Sequence, residues 1–366
     1  MKFLFHFYDL HQRAGIQRAI CELSNALLAE GHEVVLVSAT QPGQTAYPLD
    51  SRAVMEYVRL PEPQFSGIPA WPAKTFWAGR QILALRRIVR RHRPSLIVDH
   101  GTALGLLYPR RTLAGIPFVL QRHFPVRAFP RGGLLYPILA SFTANKAVVA
   151  LTHSIETELR RQGYLRVWTI PNVLPSDAVP APYSEADPRT GLLMGRAGNP
   201  QKGFDIFLRA LALHPIQGWR FRIVGPGVHN DPTLRRIIEE NHLQGFVELH
   251  SPTDDPYRAI RKSACLIMPS RYEALPMVAL EALSIGRPII GSDVDGIRDI
   301  VHPEVNGLLF PAEDVAKLSA ILIDISNHPE KLEQLARRTS ETVGLFRRES
   351  VTRMWVSLIQ QLNLDV

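Results

Sequence analysis

Two glutamates flank the predicted start of a helix in the segment Met268–Leu283. The segment follows a short apolar run typical of a buried strand, and Pro276 stands where a first helical residue would. The helix is therefore predicted to start near Leu275, where its free N–H groups and dipole would form an anion site. Glu273 lies at the mouth of that site and Glu281 about two turns further along. Because ionised glutamate can only accept hydrogen bonds, the pair indicates a ligand with hydroxyls as well as phosphate.

A second candidate phosphate site lies in the loop Gly195–Asp205, between a short predicted strand and a predicted helix. Arg196 can donate two parallel hydrogen bonds and Lys202 adds a point charge, which together suit a pyrophosphate. Two surface cations without a ligand would give the same local pattern, so the loop alone leaves both interpretations open. Gly225 forms a similar glycine turn at the end of another predicted strand. Phosphate sites beside two glutamates indicate a sugar nucleotide as the ligand.

The wider segment resembles the nucleotide-binding core of the retaining glycosyltransferases of family 4. The residues that carry the resemblance are P-S-R-Y-E-A-L-P-M-V-A-L-E-A-L-S-I-G-R-P-I-I-G-S-D-V-D-G-I-R-D-I-V, followed by N-G-L-L-F. They include the E-x-x-x-x-x-x-x-E pair Glu273 and Glu281, and the family's G-R-x-x-x-x-K-G pattern recurs around Arg196 and Lys202 with one more residue in the loop. The resemblance implies two Rossmann-like parallel-sheet domains that face a cleft, the glycosyltransferase B fold.

The resemblance also implies a role for each glutamate. Glu281 would accept hydrogen bonds from the ribose, and Glu273 would hold hydroxyls of the transferred sugar. It implies retention of the anomeric configuration by same-face substitution, although a covalent nucleophile role for Glu273 stays open. The other residues expected to bind the donor are Gly15, Arg196, Lys202, Gly225, Ser251, Ala274, Leu275 and Pro276.

His123 follows a predicted strand of the first half, at the sheet edge where ligands gather in parallel sheets. A lone loop histidine is often without function, but the resemblance implies that His123 contacts the donor sugar. Gly15 lies in the loop after the first strand, and this sequence has Ala14 before it where many relatives have a second glycine. The residues expected at the acceptor are Arg13, Gln17, His100, Arg122 and Arg127.

The charge of the chain is concentrated in its first half. Residues 1–172 contain 21 Lys and Arg against 10 Asp and Glu, whereas the remainder has slightly more acidic than basic residues. Residues 41–79 are predicted as loops around one short strand, and the arginine-rich stretch Arg80–Arg93 as an amphipathic helix. That helix suits either a position on the sheet or attraction to anionic lipid, and both can hold. An anionic membrane surface is therefore an expected partner.

Metal and disulfide chemistry are not expected. The D-x-D pattern of Asp293 and Asp295 sits in a turn of the family pattern, where aspartate and glycine are ordinary residues. Cys21 and Cys265 lie in apolar surroundings without metal spacing, which suits free thiols in a reducing compartment. We expect no cofactor beyond the nucleotide-sugar co-substrate. The N-terminus does not resemble a signal peptide, so the sequence predicts a cytoplasmic protein, with peripheral association at the inner face of the cytoplasmic membrane as a hypothesis.

The sequence therefore predicts an α/β protein with two domains: residues 1–172 with a C-terminal crossover helix at 350–366, and residues 173–349. By resemblance, the first would bind the acceptor and the second the nucleotide sugar. The predicted function is transfer of a hexose from a UDP-sugar, or a GDP-sugar, to a glycan or lipid-linked acceptor in lipopolysaccharide or polysaccharide synthesis. Two alternatives remain, a sugar-nucleotide 2-epimerase of the same fold and a non-catalytic nucleic-acid binder. The second has a basic half but no binding motif, so nucleic acid is not an expected partner.

Overall fold

The computed structural model of the chain describes residues 1–58, 71–100, 112–123 and 147–364. The chain forms two compact units, Met1–Val173 together with Phe346–Val366, and Leu174–Leu345. These divisions lie close to the predicted ranges 1–172 with 350–366 and 173–349. Each unit is an α/β structure with its own hydrophobic core.

The elements are numbered in chain order through the described residues. The strands are β1 (Lys2–Phe7), β2 (Glu33–Ser38), β3 (Val54–Tyr57), β4 (Leu96–Asp99), β5 (Thr112–Leu113), β6 (Ile116–Gln121), β7 (Ala147–Ala150), β8 (Arg166–Thr169), β9 (Asp187–Met194), β10 (Arg220–Val224), β11 (Val247–His250), β12 (Ser263–Met268), β13 (Ile289–Ser292) and β14 (Gly307–Phe310). The helices are α1 (Gly15–Ala29), α2 (Trp71–His92), α3 (His153–Arg161), α4 (Phe204–Leu213), α5 (Pro232–Glu240), α6 (Pro256–Arg261), α7 (Met277–Ile285), α8 (Asp295–Arg298), α9 (Val315–Asn327), α10 (Glu330–Ala336) and α11 (Arg348–Leu364).

The first unit is built on a parallel sheet with the strand order β3-β2-β1-β4-β6-β7-β8, and β5 runs antiparallel beside β6. The strands β1, β2, β4 and β7 are short, almost fully buried runs, as is usual in parallel sheets covered on both faces. Helix α1 buries Ile20, Leu23 and Leu27, the stripe that its periodicity predicts. Helix α11 packs against α1, and its Trp355 is fully buried in the same core. Both ends of the chain therefore build this unit.

Helix α2 is longer than the sequence pattern predicts. It begins at Trp71, so the prediction of loops is wrong for residues 71–79. Proline is tolerated in the first turn of a helix, where its missing N–H group has no intrahelical partner, and Pro72 occupies that turn. Leu85, Ile88 and Val89 are buried, which fits the interpretation of a helix packed on the sheet. The exposed arginines of this stretch are Arg80, Arg86, Arg87, Arg90, Arg91 and Arg93.

The second unit has a fully parallel sheet with the strand order β11-β10-β9-β12-β13-β14. The chain builds outward from β9 on one side and from β12 on the other, so these two strands meet where the strand order reverses. They pair in parallel, with Leu266 opposite Leu192, and both therefore end at the same edge. Ligands of open α/β sheets bind at such a switch point. The loops after Met194 and Met268 are thus placed side by side.

Candidate active site

Lys202 and Glu273 meet where the loops after β9 and β12 lie side by side. Lys202 Nζ donates to Glu273 Oε1 at 2.7 Å, and Ser270 Oγ donates to the same oxygen at 3.0 Å. Gln201 Nε2 donates to Glu273 Oε2 at 3.3 Å. Glu273 is only 6% exposed. The structure therefore joins two predicted site residues from separate loops and adds Gln201 and Ser270, which sequence reasoning missed.

Two glycines allow the loop after β9 to approach Glu273. Gly203 has φ +63°, in the left-handed region, and a Cβ there would stand 1.9 Å from the Pro269 carbonyl oxygen. At Gly195 a Cβ would stand 2.9 Å from Lys202 Cγ, so the lysine stem lies directly against this glycine. A larger residue at Gly203 would strain the backbone and separate the loops. These two positions explain why the lysine loop is bounded by glycine.

The helix after Glu273 begins two residues later than the predicted start near Leu275. Pro276 has the extended conformation, with ψ 122°, and therefore precedes α7 instead of opening it. Within the described residues no side chain caps this helix end. Ala274 and Leu275 are buried between Glu273 and the helix. The first N–H groups of α7 thus remain a candidate anion site beside Lys202 and Glu273.

The other predicted donor residues of the second unit lie around the same sheet edge or in α7. Gly225 follows β10 with φ +156°, and a Cβ there would stand 1.9 Å from the Gly195 carbonyl oxygen, so two glycine turns are in contact. Ser251 follows β11 and is exposed, as is Arg196 in the loop after β9. Glu281 lies in α7 and is 3% exposed. Because a glutamate is almost never fully buried unless it is paired, the burial of Glu281 indicates a specific role.

The turn that contains the D-x-D pattern contacts the backbone of Glu273 and Ala274. Gly296 N–H donates to the Glu273 carbonyl oxygen at 3.1 Å, and a Cβ at Gly296 would stand 2.2 Å from the Ala274 carbonyl oxygen. Asp293 and Asp295 both pair with Arg298. Within the described residues, no group of three or more His, Cys, Asp or Glu side chains could hold a metal ion. The absence of a metal from the reaction stays a prediction.

In the first unit, His100 and His123 meet at the ends of the neighbouring strands β4 and β6. His100 Nδ1 lies 3.0 Å from His123 Nε2, and the rings are stacked. Burial, with the proximity of His123 and His6, holds the pKa of His100 well below its usual range, and burial lowers the pKa of His123 to about 4. Both rings are therefore neutral near pH 7. On the same edge, His6 Nδ1 lies 2.8 Å from Asp99 Oδ2 in full burial.

The remaining predicted residues of the first unit lie in strand-end loops or at the start of α1. Gly15 is the first residue of α1, Gln17 lies in its first turn, and Arg13 is exposed in the loop before it. Arg122 directly follows β6. Arg127 lies outside the described residues. The structure thus places Arg13, Gly15 and Gln17 after β1 and Arg122 after β6. The contact of Gly15 with the donor, and of the other three with an acceptor, stays a prediction.

Two α/β units, each built on a parallel sheet, define the class of the glycosyltransferase B fold. The structure of Anabaena HepE in complex with UDP and glucose superposes with a TM-score of 0.75 at 16% identity, over 99% of this chain and 100% of that chain. The lipopolysaccharide outer core galactosyltransferase WaaB gives a TM-score of 0.73 at 18% identity, over 98% of this chain and 99% of that chain. At these identities the likeness establishes the fold.

Two family models match successive parts of the chain. The model described as Glycosyltransferase Family 4 matches residues 13–177, and the model described as Glycosyl transferases group 1 matches residues 188–328. The protein therefore belongs to the family 4, group 1 glycosyltransferases. An exopolysaccharide phosphotransferase from Streptomyces coelicolor is 30% identical over 270 residues, which are 71% of this chain and 27% of the relative. The chain spans 27% to 44% of the length of this relative and of two further curated ones.

Among the helices that the structure describes, none combines the length and the apolar character that a membrane crossing requires.

Proposed function

We propose that this glycosyltransferase is a retaining hexosyltransferase that moves a sugar from a nucleoside-diphosphate sugar, preferably a UDP-sugar, to a glycan or lipid-linked acceptor. The observation that carries the proposal is the pairing of Lys202 with Glu273 at the switch point of the second sheet. The lysine suits a diphosphate and the glutamate suits sugar hydroxyls, so the two halves of a nucleotide sugar have adjacent partners. The second unit would hold the donor, and the basic first unit the acceptor.

The same residues explain how the leaving group would be stabilised. As the glycosidic bond breaks, negative charge grows on the departing diphosphate. Lys202, the exposed Arg196 and the N-terminus of α7 would supply positive charge and N–H groups to that diphosphate, which would lower the energy of the transition state. Glu281 would accept hydrogen bonds from the ribose. Because the protein supplies these positive groups, we propose a reaction without a metal ion.

The hydrogen bonds of Glu273 favour same-face substitution over a covalent intermediate. A carboxylate offers about four lone-pair positions, and Lys202, Ser270 and Gln201 already use three of them. Little acceptor capacity remains, and the adjacent ammonium group neutralises the charge that a nucleophile needs. Glu273 is therefore better suited to one hydrogen bond from a sugar hydroxyl. The leaving phosphate would then take the acceptor's proton on the same face.

The relatives support the choice of donor and acceptor. HepE was solved with UDP and glucose, and WaaB is a galactosyltransferase of the lipopolysaccharide outer core. The Streptomyces coelicolor relative is an exopolysaccharide phosphotransferase. A UDP-sugar donor and an acceptor in lipopolysaccharide or polysaccharide synthesis are therefore the first substrates to test, with a GDP-sugar as the next donor.

Calorimetric titration with UDP in excess EDTA tests the donor site. We expect micromolar binding that Arg196→Ala abolishes, while the exposed Arg236→Ala in the same unit leaves binding unchanged. Loss of UDP binding in EDTA would contradict a metal-independent site, and binding of GDP alone would change the donor base. Product formation from a UDP-sugar without any acceptor would instead indicate a sugar-nucleotide 2-epimerase.

The exposed arginines of α2 support a further part of the proposal, docking on an anionic membrane surface at the inner face of the cytoplasmic membrane. Leu83 is 56% exposed on the same helix and would add apolar contact with the lipid. Salt-sensitive retention on vesicles with anionic phospholipid, reduced in a triple Arg86→Gln, Arg87→Gln, Arg90→Gln variant, would support this. Retention on oligonucleotides in its place would favour the nucleic-acid alternative.

A further inference from the structure

Arg271 lies in the turn after β12, two residues before Glu273, and connects this turn to the loop after β9. Its Nη1 and Nη2 donate to Asp205 Oδ1 and Oδ2 at 2.9 Å and 2.8 Å, a two-pronged pair with both carboxylate oxygens. Nη1 also donates to the Pro200 carbonyl oxygen at 2.7 Å. Nε donates to Glu313 Oε1 at 2.8 Å. One side chain thus holds the residues on both sides of Lys202.

The backbone adds a second connection between the same segments. Arg271 N–H donates to the Gln201 carbonyl oxygen at 2.8 Å, and Gln201 Nε2 donates to the Tyr272 carbonyl oxygen at 3.0 Å. Lys202 therefore stands between two anchored neighbours, Gln201 on one side and Asp205 on the other. Residues 200–202 form only a short 3-10 turn and belong to no strand. These contacts therefore fix the position of the Lys202 backbone and limit the positions that its Nζ atom can occupy.

The charge of Arg271 is balanced by its partners. Asp205 and Glu313 supply two carboxylates to one guanidinium, and the hydrogen bonds from Arg271 lower the pKa of Asp205. An arginine engaged in this way has few donors left for a phosphate, in contrast to the exposed Arg196. Its contribution to a donor site must therefore pass through the residues that it holds.

We propose that Arg271 is a positioning residue that sets the separation of Lys202 and Glu273, and thereby places the cation for the diphosphate against the carboxylate for the sugar. The inference rests on the proposed function for its kinetic consequence, but the geometry that it describes can be tested without a substrate. The two-pronged pair matters more than the charge alone, because lysine cannot reproduce the planar fork.

The kinetic test compares Arg271→Lys, Arg271→Gln and Asp205→Asn, with Lys331→Ala as a matched control that breaks an exposed ion pair elsewhere in the same unit. We expect a rise of at least about tenfold in the donor KM for Arg271→Gln and Asp205→Asn, a smaller fall in kcat, and a partial effect for Arg271→Lys. The double variant Arg271→Gln, Asp205→Asn should be no worse than Arg271→Gln alone, because that single change already removes the contact that the two residues share. Kinetic constants like those of the control, or effects that multiply in the double variant, would overturn the proposal.

Acetylation of Lys202 by acetic anhydride, followed by mass spectrometry, provides the readout that needs no donor. Lys202 is paired and 21% exposed, so it should react slowly in the parent protein and several-fold faster in Arg271→Gln, with Lys317 as the internal reference. Unchanged acetylation of Lys202 would overturn the positioning role even if the kinetic constants moved. If the parent protein transferred no sugar, the proposed function would fail while this measurement still decided the role of Arg271.

Discussion

At the scale of single residues, a substitution at Glu273 would distinguish binding of the nucleotide from transfer of the sugar. Glu273→Ala removes the carboxylate but leaves Lys202 without its partner, so the lysine becomes more available to a diphosphate. We expect transfer to fall by about 10²-fold or more, with the affinity for UDP unchanged or slightly higher. Steady-state kinetics with calorimetry measures both, and Glu240→Ala, at an exposed glutamate of the same unit, is the control. A large loss of UDP affinity would mean that Glu273 serves the nucleotide instead of the sugar.

The paired histidines of the first unit make its stability depend on pH. The pKa of His123 is lowered to about 4 and that of His100 lies well below its usual range, so in the window from about pH 6.5 down to about pH 4 the unfolded chain binds protons that the folded unit does not. The free energy of unfolding should therefore fall in this window as the pH is lowered, by up to about 1.4 kcal/mol per pH unit for each histidine.

Urea unfolding of the first unit at pH 7 and pH 5 measures this dependence. In His123→Asn the free energy of unfolding should fall less between pH 7 and pH 5, because one of the two histidines is no longer there to titrate. His328→Asn, at an exposed histidine of the second unit, is the control and should leave the dependence unchanged. If the free energy of unfolding fell equally in His123→Asn and in the parent protein, other titratable groups would cause the pH dependence.

At the scale of elements, the short turn that begins at Val294 fixes the start of α7. A Cβ at Gly296 would stand 2.2 Å from the Ala274 carbonyl oxygen, so Gly296→Ala must displace either the turn or the segment that carries Glu273. We expect a loss of about 1–3 kcal/mol in the stability of the second unit and at least a tenfold loss in donor affinity. Gly245→Ala is the control, since a Cβ there would meet nothing within 4 Å among the described residues. If Gly296→Ala bound UDP as tightly as the parent protein, the turn would not be needed to hold the segment that carries Glu273.

The strand, turn and helix around Glu273 could be predicted from the sequence because their signals are contiguous: an apolar run, a proline and a helical stretch. The start of α7 could not, because proline fits both the first helical position and the extended residue before it. The contact of Lys202 with Glu273 spans 71 residues and depends on how β9 and β12 pair. For Arg271 and Asp205, the only available signal was the opposite charge of two residues, one in the turn after β12 and one in the first turn of α4.

The first unit was harder to predict for a related reason. Its basic charge and the apolar stripe of α2 could be predicted from the sequence. The start of the helix could not, because Pro72 and the neighbouring aromatic residues are also typical of loops. The stacking of His100 on His123 follows from the adjacency of β4 and β6, which the chain order alone does not specify. Local patterns thus gave the elements, whereas pairs that join distant segments required the sheet order.

At the scale of the whole molecule, the two units are assembled differently. The second unit is one continuous segment, Leu174–Leu345, with a core drawn from its own residues. The first unit needs both ends of the chain, because α11 contributes Val351, Trp355 and Leu358 to its core. Removal of α11 would therefore expose the first core while leaving the second intact.

This asymmetry predicts that the segment 174–345 folds alone and binds UDP within about fivefold of the full chain, because the residues proposed to hold the nucleotide lie almost entirely inside it. A chain that ends at Leu345 should lose the thermal transition of the first unit. Trp355→Ala should destabilise that unit by about 3–5 kcal/mol.

Scanning calorimetry with and without UDP distinguishes the two transitions, since the ligand should raise the midpoint temperature of the second unit only. A single transition that UDP shifts as a whole would instead show that the units unfold together, and the donor site would then depend on the first unit as well.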